Sequence, residues 1–232
     1  LCPKAEKEKK KKAPENAMKQ TAPPPKADPN KIYSCSLLNI APLLLEGKQK
    51  QPELYQYFSE LLTNLYQDNL LAGKPPSWTQ KFIDAILQAA QEKLRQKNKK
   101  QPPLEKLALT DAQLQIIYYQ MLKGTKLETV PSLKKYVAAA YGKKEKICLM
   151  HAAPPLLSSF FGPEIAAQII ALREKKYLSN TKIDALITHY PWAQGKNYKQ
   201  FFTCQHKQQT VIISGFDQKS QIRLSRKAPP SI

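Results

Sequence analysis

Two stretches of this chain follow one plan. "CSLLNIAPLLLE" begins at Cys35, and "CLMHAAPPLLSS" begins at Cys148. Each opens with a cysteine on a β-prone run, and each reaches a proline seven residues on, Pro42 and Pro155, followed by Leu-Leu. Proline lacks an N–H and holds φ near −65°, so it stops a strand and suits the first turn of a helix. The plan is therefore a strand that feeds a proline turn and launches helices, used twice. Two equivalent strands of this kind are expected in one sheet, each sending out a helical excursion.

The intervening sequence supplies the excursions. Leu54, Tyr57, Phe58, Leu61, Leu62, Leu65 and Tyr66 recur at spacings of three and four, which predicts an amphipathic helix over 53–71. Ser77 with Gln80 opens a second helix, with Trp78, Phe82, Ile83, Ile86, Leu87 and Leu94 on its apolar face. Thr110 with Gln113 repeats that capping signature before Leu114, Ile117, Tyr118 and Met121. Pro131 starts a predicted fourth helix carrying Leu133, Tyr136, Val137 and Ala140 to Gly142. Residues 146–150 read as a strand. A helix after Pro163 and another near 180–189 follow, then strands at 198–204, 209–215 and 220–226. The order predicts an α+β fold, with an antiparallel sheet from strands near 32–38, 146–150, 209–215 and 220–226. Three parts follow: a Lys/Pro-rich tether over 1–30, an α+β domain from 31–49 and 146–232, and an inserted helical domain over 50–145.

Charge narrows the function classes less than its size suggests. The 232 residues carry 37 Lys or Arg against 18 acids, a net +19. Such a balance suits nucleic acid, an acidic surface or anionic lipid. Residues 1–30 hold eight lysines and four acids, so about +15 stays on the body, mostly as lysines on polar helix faces. Solvated faces account for these. The tether cannot bury enough apolar surface to offset its ordering entropy. No run of eighteen apolar residues spans a membrane. The start at Leu1-Cys2-Pro3 reads as a fragment, with a targeting or membrane segment expected upstream.

Site chemistry is sparse. Cys2, Cys35, Cys148 and Cys204 show no CxxC spacing, and His151, His189 and His206 stand alone, so no metal site is expected. No glycine-rich phosphate loop exists, and Asp68, Asp84, Asp111 and Asp184 fall on helix faces or ends. No enzyme activity and no cofactor are expected.

The order of pieces resembles the K-type minor pseudopilins of type II secretion (general secretion pathway protein K). "SLLNIAPLLL" and "KICLMHAAPPLL" are similar to that family's two strand-turn motifs. "AAQIIALREKKYLSNTKIDALI" is similar to its arginine-bearing helix and the next, and "TVIISGFDQKSQIRLSRK" to its closing hairpin. The family-like positions are Asn39 and Pro42 in the first motif, His151 and Pro155 in the second, and Arg173 in the helix. His151-Ala152 stands where the family has Asn-Thr. The resemblance implies a pilin-like sheet with a large helical insertion, and a non-catalytic subunit capping the pseudopilus tip beside H-, I- and J-type minor pseudopilins. It also implies a bacterial envelope location, with a periplasmic soluble domain anchored through an N-terminal inner-membrane helix. The family's calcium site has no acid-rich counterpart here.

Two rival readings accompany it. One is a secreted interaction protein or effector of an unrelated family. The other makes 151–187 a helix-hairpin-helix for nucleic acid, which needs free backbone amides at the hairpin. "FFGPEIA" offers one glycine and then a proline, which has no amide to donate.

Cys35 and Cys148 occupy matching places in the two strand-turns. Neighbouring strands lie about 4.8 Å apart, within the roughly 4.4–6.8 Å that a disulfide tolerates between Cα atoms. A bridge closing a loop of over a hundred residues stabilises by about 4–5 kcal/mol in the chain-entropy account. Buried free thiols are the plainer alternative, and Cys204 competes as a partner.

Overall fold

The computed structural model describes residues 32–75, 77–96, 102–125, 129–142, 146–175, 178–204 and 211–212. In chain order the elements are β1 (Ile32–Tyr33), β2 (Leu38–Asn39), α1 (Ala41–Glu46), α2 (Pro52–Tyr66), α3 (Ser77–Arg95), α4 (Ala112–Lys123), β3 (Val137–Ala138), β4 (Ile147–Cys148), α5 (Pro154–Phe161), α6 (Pro163–Glu174), α7 (Asn180–Thr188), α8 (Tyr198–Phe201), β5 (Phe202–Thr203) and β6 (Val211–Ile212). Helices dominate and the strands are short, an α+β arrangement in the broad sense.

The sheet differs from the expected one. β2 pairs in parallel with β3, Leu38 opposite Val137. β4 pairs in parallel with β5, Ile147 opposite Phe202 and Cys148 opposite Thr203. Among the described strands only β1 and β6 run antiparallel. The two echoing strands do not join one sheet; each pairs with the strand that closes its own excursion. The physical reason is the proline. A strand that leaves into helices cannot turn back through a tight hairpin, and a crossover returns it parallel to its start. The chain is thus two successive strand–helices–strand units, β2 to β3 through α1–α4 and β4 to β5 through α5–α8. The stretches 1–30 and 220–226 lie outside the described residues.

Local readings change with this topology. The predicted strand at 32–38 breaks at a 3-10 turn, Ser34–Ser36. The helix predicted from Pro131 is instead a 3-10 turn at Leu133–Lys135 followed by β3. Val137 is β-branched and suits the ladder with β2, so pairing overrides the helical spacing. The predicted strand at 198–204 begins as α8 and ends as β5. The proline turn before Gly162 holds a full helix, α5. The α4 cap is Asp111 rather than Thr110: its carboxylate accepts from Gln113 N at 2.8 Å and from Leu114 N at 3.2 Å.

The α2 stripe behaves as its periodicity predicts, with Leu54, Tyr57, Phe58, Leu61, Leu62, Leu65 and Tyr66 all buried. It packs on α3 and on α5, and α5 packs on α6. One apolar cluster therefore joins both units, from Leu38 to Phe202. Each fully buried Leu or Phe in it adds about 1.5–3 kcal/mol. Its centre is aromatic. Tyr57 meets Phe160 edge-on at 5.1 Å between ring centroids, and Phe160 meets Phe202 at 5.1 Å.

Candidate functional site

The residues singled out in the sequence fall at the two places where a strand hands over to helices. At the first, Leu38 N donates to Tyr136 O at 2.7 Å and Ile40 N to Ala138 O at 2.9 Å. Asn39 then extends the ladder with its side chain. Its Nδ2 donates to Ala140 O at 2.9 Å, and its Oδ1 accepts from Ala140 N at 2.9 Å and from Ala41 N at 3.1 Å. One amide thus fastens β3's exit to β2 and satisfies a donor at the start of α1. Pro42 sits in the first turn of α1, where a missing N–H costs nothing.

At the second, the chain folds back just after β4. His151 N and Ala152 N both donate to Cys148 O at 2.9 Å. Arg173, on α6, donates from Nη1 to Ala152 O at 2.7 Å. The guanidinium is half-buried, and desolvation draws its pKa down. Its hydrogen bond fixes the turn against the helix. Pro154 and Pro155 open α5. Ser159 Oγ donates to Pro155 O at 2.7 Å and accepts from Asn64 Nδ2 at 2.9 Å, which ties α5 to α2. His151 is half-buried within the turn.

The thiol pair lies at the second handover, where β4 ends at Cys148. The 3-10 turn that carries Cys35 packs on β4, which carries Cys148. Both are buried, at 2 % and 1 % exposure. The neighbouring Cys148 thiol, and then burial, push the Cys35 pKa well up. Cys204 follows β5 and is half-buried; burial, then the charge of Cys148, raises its pKa. The structure thus brings the segments of Cys35 and Cys148 together, although Cys35 lies on a 3-10 turn and not on a strand paired with β4.

Sequence reasoning missed two features. A recess of about 160 Å³ lies between α2 and the segment 195–201, floored by Tyr57, Phe160 and Phe201, with Glu53 and Glu60 at its rim. Lys196 also lines it: its ammonium donates to Phe160 O at 2.8 Å and lies 5.7 Å from the Phe160 ring centroid and 5.6 Å from that of Trp192. An internal cation therefore already occupies the aromatic faces. Gly162, between α5 and α6, has φ +79°, and a Cβ there would fall 2.4 Å from Trp192 Cη2. Its N–H donates to Ser158 O at 2.9 Å. The hairpin of the nucleic-acid reading is therefore a packed joint under an indole. The "SSFF" before Gly162 was the available signal for the aromatic floor.

Among the described residues no group of three His, Cys, Asp or Glu is arranged to hold a metal ion, and no helix is long and apolar enough to cross a membrane. The perturbed groups are mainly tyrosines and cysteines shifted by burial, such as Tyr57 and Tyr66. No protein-family model matches this chain, and no curated protein or solved structure is significantly similar to it.

Proposed function

We propose that the chain is a non-catalytic assembly subunit of the bacterial envelope, the body of a K-like minor pseudopilin at the tip of a type II secretion pseudopilus. The observation that carries this reading is the use made of Asn39 and Arg173. These match the family's strand-motif asparagine and helix arginine, and each anchors a handover from strand to helix. The motif residues thus serve architecture, which suits a subunit whose task is to present a shape. The first unit interposes α1–α4 between β2 and β3 and makes the body bulky. Bulk of this kind suits a position that ends a filament. The parallel pairing of β2 with β3 and of β4 with β5 departs from a pilin-like sheet, so the reading rests on the handovers and the order of pieces. Partners are H-, I- and J-type minor pseudopilins.

Removing the chain from its host tests the reading. Type II substrates should then accumulate inside the envelope, and the intact gene should restore their release. Unchanged secretion in the deletion strain would overturn it.

A further inference from the structure

We propose that Cys35 and Cys148 join in a disulfide as the protein folds in an oxidising compartment, clamping the turn after β1 to strand β4. The geometry is already assembled. The 3-10 turn Ser34–Ser36, which carries Cys35, packs on Ile147–Cys148, and both cysteines are buried at that contact. A disulfide tolerates roughly 4.4–6.8 Å between Cα atoms, a separation within the range of packed backbone segments. The turn that carries Cys35 follows directly on β1, whose partner β6 lies at the far end of the described chain. The bridge therefore ties the first strand of the body to the second strand–helices–strand unit, which non-covalent pairing alone otherwise holds. Load applied upstream of Cys35 reaches β4 through a covalent bond.

The oxidant is a disulfide of the glutathione class or an oxidised thiol–disulfide oxidoreductase. One cysteine thiolate attacks that disulfide, forms a mixed disulfide and expels a thiolate. The second cysteine, deprotonated, attacks the protein sulfur of the mixed disulfide and expels the other thiolate. The protein loses two protons and two electrons, and the oxidant gains two thiols. Both cysteines are shielded once the core closes, and a protonated thiol is a poor nucleophile. The exchange accordingly belongs to the folding stage. Among the described cysteines, Cys204, half-buried beside β5, is the most accessible thiol.

The test does not depend on the secretion reading. Reduced, unfolded protein is refolded in a mixture of reduced and oxidised glutathione, alkylated, and mapped without reduction. The expected major linkage is Cys35–Cys148, with Cys204 alkylated and a Tm roughly 5–15 °C above that of the reduced protein. Cys204→Ser should leave the yield of the linked peptide unchanged. Native reduced protein in the same buffer should form the bridge at least about tenfold more slowly, as expected for buried thiols. Alkylation of both Cys35 and Cys148 after refolding, or a dominant Cys148–Cys204 linkage, would overturn the proposal. Equal rates from native and unfolded protein would overturn its folding-stage step.

Discussion

The side chain of Asn39 meets the backbone of Ala140 twice, donating to its carbonyl and accepting from its N–H, each at 2.9 Å. A side-chain amide here takes the place of the next rung in the β2–β3 ladder. The same Oδ1 also accepts from Ala41 N. Asn39→Ala removes all three bonds and leaves partly buried backbone groups without partners. The expected loss is about 2–3 kcal/mol in urea unfolding. A loss below about 0.5 kcal/mol, the usual range of an exposed surface change, would show that the junction is held otherwise.

Three glycines give a graded series. Gly124, Gly162 and Gly73 all have positive φ, at +67°, +79° and +72°. A Cβ at Gly73 meets nothing within 4 Å, so Gly73→Ala costs only the backbone strain, about 1–2 kcal/mol. At Gly162 it would strike the Trp192 indole, which is 48 % exposed and able to swing aside. At Gly124 it would lie 2.7 Å from Ser132 N, backbone that cannot yield cheaply. The expected order of destabilisation is Gly124→Ala, then Gly162→Ala, then Gly73→Ala. Trp192→Ala should relieve part of the Gly162→Ala penalty in a double-mutant cycle. Equal effects at all three would contradict the packing described.

Alkali should unfold the protein through its buried phenols. Tyr57, Tyr66 and Tyr118 donate to Leu156 O, Pro131 O and Leu104 O at 2.9, 2.9 and 2.7 Å. Burial holds each pKa well above the ordinary tyrosine value. A folded pKa raised above the unfolded one contributes stability that is complete below the unfolded pKa of about 10 and declines as pH rises further. Phenolate absorbance from these three should appear only together with loss of circular dichroism. Their ionisation near pH 10 in a still-folded protein would refute the burial.

Periodicity made the long helices legible. The α2 stripe from Leu54 to Tyr66 lies inward as its spacing predicts, because seven residues on one face leave a helix little choice of orientation. The two proline handovers were legible for the same kind of local reason. The sheet was not. Its strands are two residues long, too short for an alternating pattern, and their partners lie far along the chain. Val137 shows the conflict: its spacing from Leu133 and Ala140 reads as helix, while its hydrogen-bonded place beside Leu38 makes it strand. α5 hid behind Pro154-Pro155, a signal that marks both a turn and a helix start. At the candidate site the residue types were readable and their partners were not. Asn39 and Arg173 stood out in the motifs, but Ala140 and Ala152 contribute only backbone atoms, which no side-chain pattern announces.

The proposed function requires this body to join other minor pseudopilins. The most direct measurement mixes the purified chain with the purified H-, I- and J-type bodies from the same genome and follows them by sedimentation velocity. The expected result is a discrete complex that contains this chain at low-micromolar concentration and persists when salt is raised enough to screen lysine attraction. Sedimentation of this chain as a separate species, while the other three still associate among themselves, would contradict it.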